Sequence, residues 1–234
     1  MAHGFIDAVM GRVDITHYVC SMVTLGEVVA LDERLQKFYG NTGRGRLMPY
    51  EPARFGHMVT QLCCRLEDTR LPLMVGFHLN APAAGEEWGD KNLDIWRWVH
   101  GVLRACGPRT IVVCDSMYCT PRVAELNSRE GVRFLAAGKT NWLGKCNHLV
   151  RRSTRDSEGA QYVFHKGTHT TVVRTPRVGP RQTTALMVSN VAEPARRQHV
   201  RGLLPQIVRR YHTTFSICGK FNRVLADYWW PYGR

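Results

Sequence analysis

The sequence predicts an α/β fold, a mixed sheet flanked by helices, and three observations lead there. Strand-like apolar runs alternate with amphipathic helical periodicity through the first 140 residues. Two of those runs, Val28-Val29-Ala30-Leu31-Asp32-Glu33 and Ile111-Val112-Val113-Cys114-Asp115-Ser116, carry apolar residues directly into an aspartate. A last stretch, 203–230, is largely helical in character, opened by Pro205 and closed by Pro231.

Taken in order, the first strand leads into Asp32. Residues 55–66 and 71–79 read as an antiparallel hairpin around the polar turn Glu67-Asp68-Thr69-Arg70. Leu93, Trp96, Val99, His100 and Leu103 recur at three- and four-residue steps, the spacing of one helix face, and Gly107-Pro108 ends that helix. A strand over 110–114, a helix over about 121–128, a return through Gly131 and a strand over 133–137 follow. Residues 142–190 change character, with Gly and charge around short strand-like runs, and read as a β-rich insertion before the last helices. Thr213-Thr214 and Ser216 divide the final helical stretch in two, with Ser216 as the N-cap of the second half. The expected organisation is a core first part at 1–140, the insertion at 141–195, and C-terminal helices at 196–234 that complete the core.

Composition narrows the function classes. The chain has 234 residues, 44% of them hydrophobic, enough to bury one sizeable core. No run approaches the roughly 18 apolar residues of a membrane span, and the N-terminus has no signal-peptide pattern, so an intracellular protein is expected. The eight cysteines fall mostly in apolar contexts, and no pair has the two-residue gap of a zinc knuckle or redox pair. They read as reduced core residues. The formal charge is +13 and the pI about 9.8, with arginine clusters at Arg151-Arg152, Arg196-Arg197 and Arg209-Arg210. Nucleic acid is the natural counterion for such an excess, because neutralised phosphates release condensed cations.

The two aspartates carry the chemistry. An ionised carboxylate at the end of an apolar strand is costly to desolvate unless a cation, an arginine or backbone donors meet it. A shared divalent metal would account for both placements. Asp also begins turns and caps helices, and Asp115-Ser116 leading into the helix near Thr120 leaves that alternative open. The tail Tyr228, Trp229, Trp230 fits a core or an interface better than a base-stacking platform.

The element order and the placement of the acids resemble the ribonuclease H-like fold of DDE/D transposases, and local motifs resemble the piggyBac family. Leu31-Asp32-Glu33, then Phe38-Tyr39-Gly40 and the segment from Gly45-Arg46 through Pro49, Pro52 and Arg54 to Phe55-Gly56, is similar to the family's Asp-Glu motif and the Pro-rich basic segment behind it. Cys114-Asp115-Ser116-Met117-Tyr118-Cys119-Thr120-Pro121 is similar to its Asp-Asn-aromatic-aromatic-Thr/Ser-x-Pro signature, and the segment 131–141 to its next strand. Pro205-Gln206-Ile207-Val208-Arg209-Arg210-Tyr211-His212 resembles the helix that precedes the third acid. Four motifs stand in the family's order.

The resemblance implies metal-dependent DNA strand cleavage and transfer, with Asp32 and Asp115 as catalytic ligands of Mg²⁺ or Mn²⁺. It also implies Arg46, Arg54, Lys139, Arg151 and Arg152 as DNA contacts, transposon terminal repeats as partner DNA, a homodimer formed through regions missing here, and a nuclear location. The chain is expected to be a fragment of a longer protein. One departure is decisive. Gly219 stands where the third aspartate belongs, Asn222 replaces the acid one turn later, and Lys220 adds a positive charge beside them. Glycine supplies no oxygen ligand, and Asp227, eight residues along a helix, lies about 80° round and about 12 Å along the axis. The ancestral activity is therefore expected to be lost. The alternative is a basic nucleic-acid-binding scaffold whose acids are structural.

Overall fold

The computed structural model describes residues 25–37, 46–47, 55–66, 70–79, 91–106, 110–139, 161–164, 171–174, 186–191 and 206–227. The described elements are β1 (Leu25–Lys37), β2 (Arg46–Leu47), β3 (Phe55–Leu66), β4 (Pro72–Leu79), α1 (Lys91–Cys106), β5 (Ile111–Cys114), α2 (Pro121–Arg129), β6 (Arg133–Gly138), β7 (Gln161–Phe164), β8 (Thr171–Arg174), β9 (Leu186–Ser189) and α3 (Gln206–Asp227). Among these residues the nine strands form one sheet in the order β2-β3-β1-β5-β6-β9-β8-β7, and β4 shares the outer edge of β3 with β2. Strand β1 is antiparallel to β3 and parallel to β5, and β5 is parallel to β6. Parallel neighbours need crossovers, and α1 and α2 lie in them. The α/β class and the mixed sheet expected from the sequence are what the chain adopts.

Strand alternation divides the central residues between two faces. Val29, Leu31, Leu62, Cys64, Val112, Cys114, Phe134 and Ala136 pack on one face against Ile95, Trp96, Val99 and Val102 of α1 and Val123 of α2. Ile111, Val113 and Leu135 point the other way, toward Tyr211 of α3, while Ala30 and Cys63 meet Ile217 and Cys218 of the same helix. Apolar residues on both faces make the near-continuous hydrophobic runs of β1 and β5 intelligible, since a strand covered on both sides needs no polar alternation.

Local chemistry sets the boundaries. Thr120 caps α2 by accepting from the Val123 N–H at 3.3 Å, with Pro121 in the first turn where no N–H is needed. The helix ends at Gly131, whose φ of 69° suits glycine, and the Val132 N–H reaches back to the Asn127 carbonyl at 2.8 Å. At the start of β6 the Asn190 side chain accepts from the Phe134 N–H at 2.8 Å and donates to the Val132 carbonyl at 2.6 Å, extending the ladder beyond β9.

Two expectations are corrected. The stretch expected to break at Thr213-Thr214 and Ser216 is one continuous helix of 22 residues. Ser216 is no N-cap, because its hydroxyl donates back to the Thr213 carbonyl at 3.1 Å, and packing of α3 across the sheet outweighs the weak local preference of these residues. Strand β1 also runs on past Asp32 to Lys37, because β3 continues to pair with it through Lys37 and Gly56. Of the segment 141–195, strands β7, β8 and β9 are hydrogen-bonded in series onto the β6 edge of the same sheet. No helix among the described residues is long and apolar enough to cross a membrane.

Candidate metal and nucleic-acid site

Parallel pairing of β1 with β5 ends at Leu31 and Cys114, so the next residues on the two strands are Asp32 and Asp115. Adjacent strands lie about 4.8 Å apart, which sets the spacing of the two backbones there. Leu31 and Cys114 face the α1 side, so alternation turns Asp32 and the continuation of β5 toward the α3 side. Both negative charges reach the same two neighbours. The Tyr211 phenol is pushed above its ordinary range by burial first and then by Cys114, Asp115 and Asp32. The Cys114 thiol is raised by burial, then by Cys119, Asp115 and Asp32. Two acids 83 positions apart in sequence thus share one corner of the sheet, at the point where the parallel ladder opens.

Each carboxylate is oriented by a nearby backbone donor. The Glu33 N–H donates to Asp32 Oδ1 at 2.9 Å, and the Met117 N–H donates to Asp115 Oδ1 across the turn that follows β5. Helix α3 crosses beside them. The Cys218 thiol donates to the Ala30 carbonyl at 3.4 Å and also hydrogen-bonds with Cys63. That bond and then burial hold the Cys218 thiol well above its usual value, and Asp32 adds to the shift. One turn on, the Asn222 Oδ1 accepts from Gln61 Nε2 at 3.1 Å, and Gln61 is the cross-strand register partner of Asp32. The helix that resembles the carrier of the third acid therefore lies over the acid pair, fixed on both sides of Gly219. Gly219 itself is exposed, and a Cβ built there meets nothing within 4 Å.

The donor set is hard oxygen, which suits one hydrated Mg²⁺ or Mn²⁺ held by two carboxylates, an arrangement in which such ions usually keep several waters or bind phosphate oxygens. Among the described residues no three His, Cys, Asp or Glu side chains gather into a larger ligand cluster, so a second ion finds no third carboxylate. Asn222, the other replacement, is engaged with Gln61.

The remaining sequence-derived candidates divide by position. Lys139 is exposed and directly follows β6, at the same end of the sheet as Asp115, since Cys114 pairs with Ala136. Arg46 pairs with Gly56, which is also the partner of Lys37, and so lies toward the end of β1 beyond Asp32. Arg54, Arg151 and Arg152 lie outside the described residues, as do Tyr228, Trp229 and Trp230. Lys220 and Arg223 are exposed on α3 next to Gly219 and Asn222. The half-buried Arg34 lies two residues beyond Asp32 on the same strand face, and burial lowers its affinity for the proton.

Sequence reasoning missed the groups that hold the two strand ends together. Glu33 faces away from Asp32, and its Oε2 accepts from the Tyr118 hydroxyl at 2.8 Å, with Thr60 Oγ1 3.3 Å from the same hydroxyl. The signal was present in Asp32-Glu33, because adjacent strand residues face opposite sides and the glutamate needed its own partner in the α1-side core.

No protein-family model matches the sequence, and no curated protein sequence matches it. Among solved structures, the chain is similar to a piggyBac transposase determined by cryo-EM in a synaptic complex with hairpin DNA, with a TM-score of 0.65 and 17% identity over 87% of this chain and 41% of that one. A second similarity, to endonuclease V of Ciona intestinalis with inosine-containing DNA, has a TM-score of 0.35 and 8% identity, covering 74% of this chain and 79% of that one. The chain thus spans less than half the length of the transposase chain it matches. The first likeness identifies the mixed sheet with its flanking helices as a ribonuclease H-like, transposase-like fold.

Proposed function

We propose that this chain is a piggyBac-transposase-derived DNA-binding core of the DDE/D type, which keeps two of its three metal-binding carboxylates and no longer cleaves DNA as written. The observation that carries it is that Asp32 and Asp115 directly follow the last paired residues, Leu31 and Cys114, where the β1–β5 ladder opens, under a helix that offers Gly219 and Asn222 where the third acid is due. Asp32 and Asp115 would hold Mg²⁺ or Mn²⁺, which when bound activates water and stabilises a leaving oxygen. The chain's own residues do the rest: backbone N–H groups of Glu33 and Met117 aim the carboxylates, and α3 closes one side of the site. Losing a carboxylate that would ligate the ion directly is expected to cost at least the roughly 10–100-fold typical of losing a group that only hydrogen-bonds to a ligand.

Binding outlives turnover because it rests on charge. Lys139, Lys220 and Arg223 are exposed around the acid end of the sheet, and DNA phosphates are the complementary surface. Transposon ends are the proposed DNA, the nucleus the proposed location, and a homodimer the proposed assembly of the whole protein.

The test is duplex affinity by fluorescence anisotropy across a salt series. The logarithm of the association constant should fall steeply and linearly with the logarithm of salt, at about 0.9 per phosphate neutralised. Lys139→Glu should weaken all sequences alike and lower that slope by about 1. No binding would reject a DNA-binding function, and salt-insensitive binding would reject its resting on charge.

A further inference from the structure

Asp32 and Asp115 sit on different strands, and the pairing between those strands stops one residue before them. Asp115 begins a turn, Asp115 to Tyr118, closed by the Tyr118 N–H on the Asp115 carbonyl at 3.2 Å. Nothing in the parallel ladder itself fixes this turn relative to β1. The tie comes from the other face of the sheet. Tyr118 is fully buried, its hydroxyl donates to Glu33 at 2.8 Å, and Glu33 is the residue after Asp32. Thr60, the register partner of Glu33 on β3, lies 3.3 Å from the same hydroxyl. At its other end the Tyr118 carbonyl accepts from Trp96 Nε1 at 2.7 Å, which binds the turn to α1. Burial first, and then the charge of Glu33, hold the phenol well above its ordinary range, so it stays a donor.

We propose that the Tyr118–Glu33 hydrogen bond is a strap that sets the position of Asp115 against Asp32, making Tyr118 and Glu33 positioning residues for the cation and phosphate site while touching neither ligand. The inference rests on the function proposed above. Carboxylate pairs that share an ion need fixed geometry, and a hydrogen bond to an ionised group is stronger and more directional than a neutral one. The strap lies behind the site, in the core, where bound DNA does not displace it.

Two readouts separate the strap from the cation site it serves. The first is amide hydrogen exchange of Met117, whose N–H is held by the Asp115 carboxylate, with the Val132 N–H at the end of α2 as an internal reference for overall stability. In Tyr118→Phe the Met117 amide should exchange about tenfold faster while Val132 is unchanged. The second is Mn²⁺ affinity by calorimetry, well below the unfolding temperature. Tyr118→Phe and Glu33→Ala should each weaken Mn²⁺ about tenfold, the double variant no further, and Glu33→Gln, which keeps an acceptor, should stay close to the parent. Unchanged Met117 exchange in Tyr118→Phe overturns the strap. So does a Val132 amide that speeds up equally, which would make the effect one of global stability. A parent that binds no Mn²⁺ overturns the cation reading instead, and the exchange measurement still decides the strap.

Discussion

Replacing Gly219 with aspartate is expected to give a protein that nicks DNA in the presence of Mn²⁺ at least about tenfold faster than the parent, scaled to the usual cost of disturbing a metal site. The space exists, because a Cβ at Gly219 meets nothing within 4 Å. The helix should tolerate the change, since aspartate in a helix interior is a few tenths of a kcal/mol better than glycine. Position favours it as well. At about 100° per residue, Gly219 lies about 40° from Phe215 and about 60° from Asn222, on the flank of the α3 face that packs on the sheet. Asp32→Ala introduced into the same protein should return activity to background. Parent-level nicking in Gly219→Asp would mean that the missing acid does not limit the site, and strong activity in the parent would contradict the proposed loss of turnover.

The second large effect is on stability. Trp96 is fully buried between the sheet and α1, set edge-on to Phe134 with ring centroids 6.5 Å apart, and its Nε1 donates to the Tyr118 carbonyl. Trp96→Ala removes the largest fully buried side chain among the described residues and leaves the Tyr118 carbonyl without this donor. A loss of about 3–5 kcal/mol is expected, a large share of a typical domain's stability. Urea unfolding followed by circular dichroism measures it. A loss under about 1 kcal/mol would show that α1 does not seal this face of the sheet. Because the indole also anchors the Asp115 turn, weaker Mn²⁺ binding should accompany the destabilisation in the fraction that remains folded.

Much of this fold was legible because its signals are local. The 3–4 spacing of Leu93, Trp96, Val99, His100 and Leu103 needs only a helix with one buried face, and α1 covers it. The antiparallel pairing of β3 with β4, closed by the Leu66 N–H on the Leu71 carbonyl, and the Thr120-Pro121 start of α2 likewise join residues close in sequence. The errors came where distant partners decide. β1 continues through Asp32 because β3 still pairs with it, and no residue near Asp32 announces that. α3 stays whole through Thr213, Thr214 and Ser216 because Thr214, Ile217 and Cys218 are buried along the sheet, a long-range gain invisible to local propensity.

The site divides in the same way. The neighbouring strand positions of Asp32 and Asp115 were readable because a carboxylate after an apolar strand is conspicuous, and their adjacency depends only on the parallel register of β1 and β5. Glu33, Tyr118 and Thr60 were not, since a buried tyrosine in a turn and a threonine in a strand are ordinary residues until the fold brings them to one hydrogen-bonded point. Gln61 and Asn222, 161 positions apart, pair for the same reason.

The most direct test of the account is Mn²⁺ calorimetry on the parent chain beside Asp32→Asn and Asp115→Asn, each of which keeps the shape of the side chain and removes its charge. The paired-carboxylate site predicts one Mn²⁺ per chain in the parent and a loss of at least about tenfold in affinity in either variant alone. Parent-like binding in either variant, or no binding by the parent, would contradict it and leave Asp32 and Asp115 as structural acids at the end of the parallel ladder.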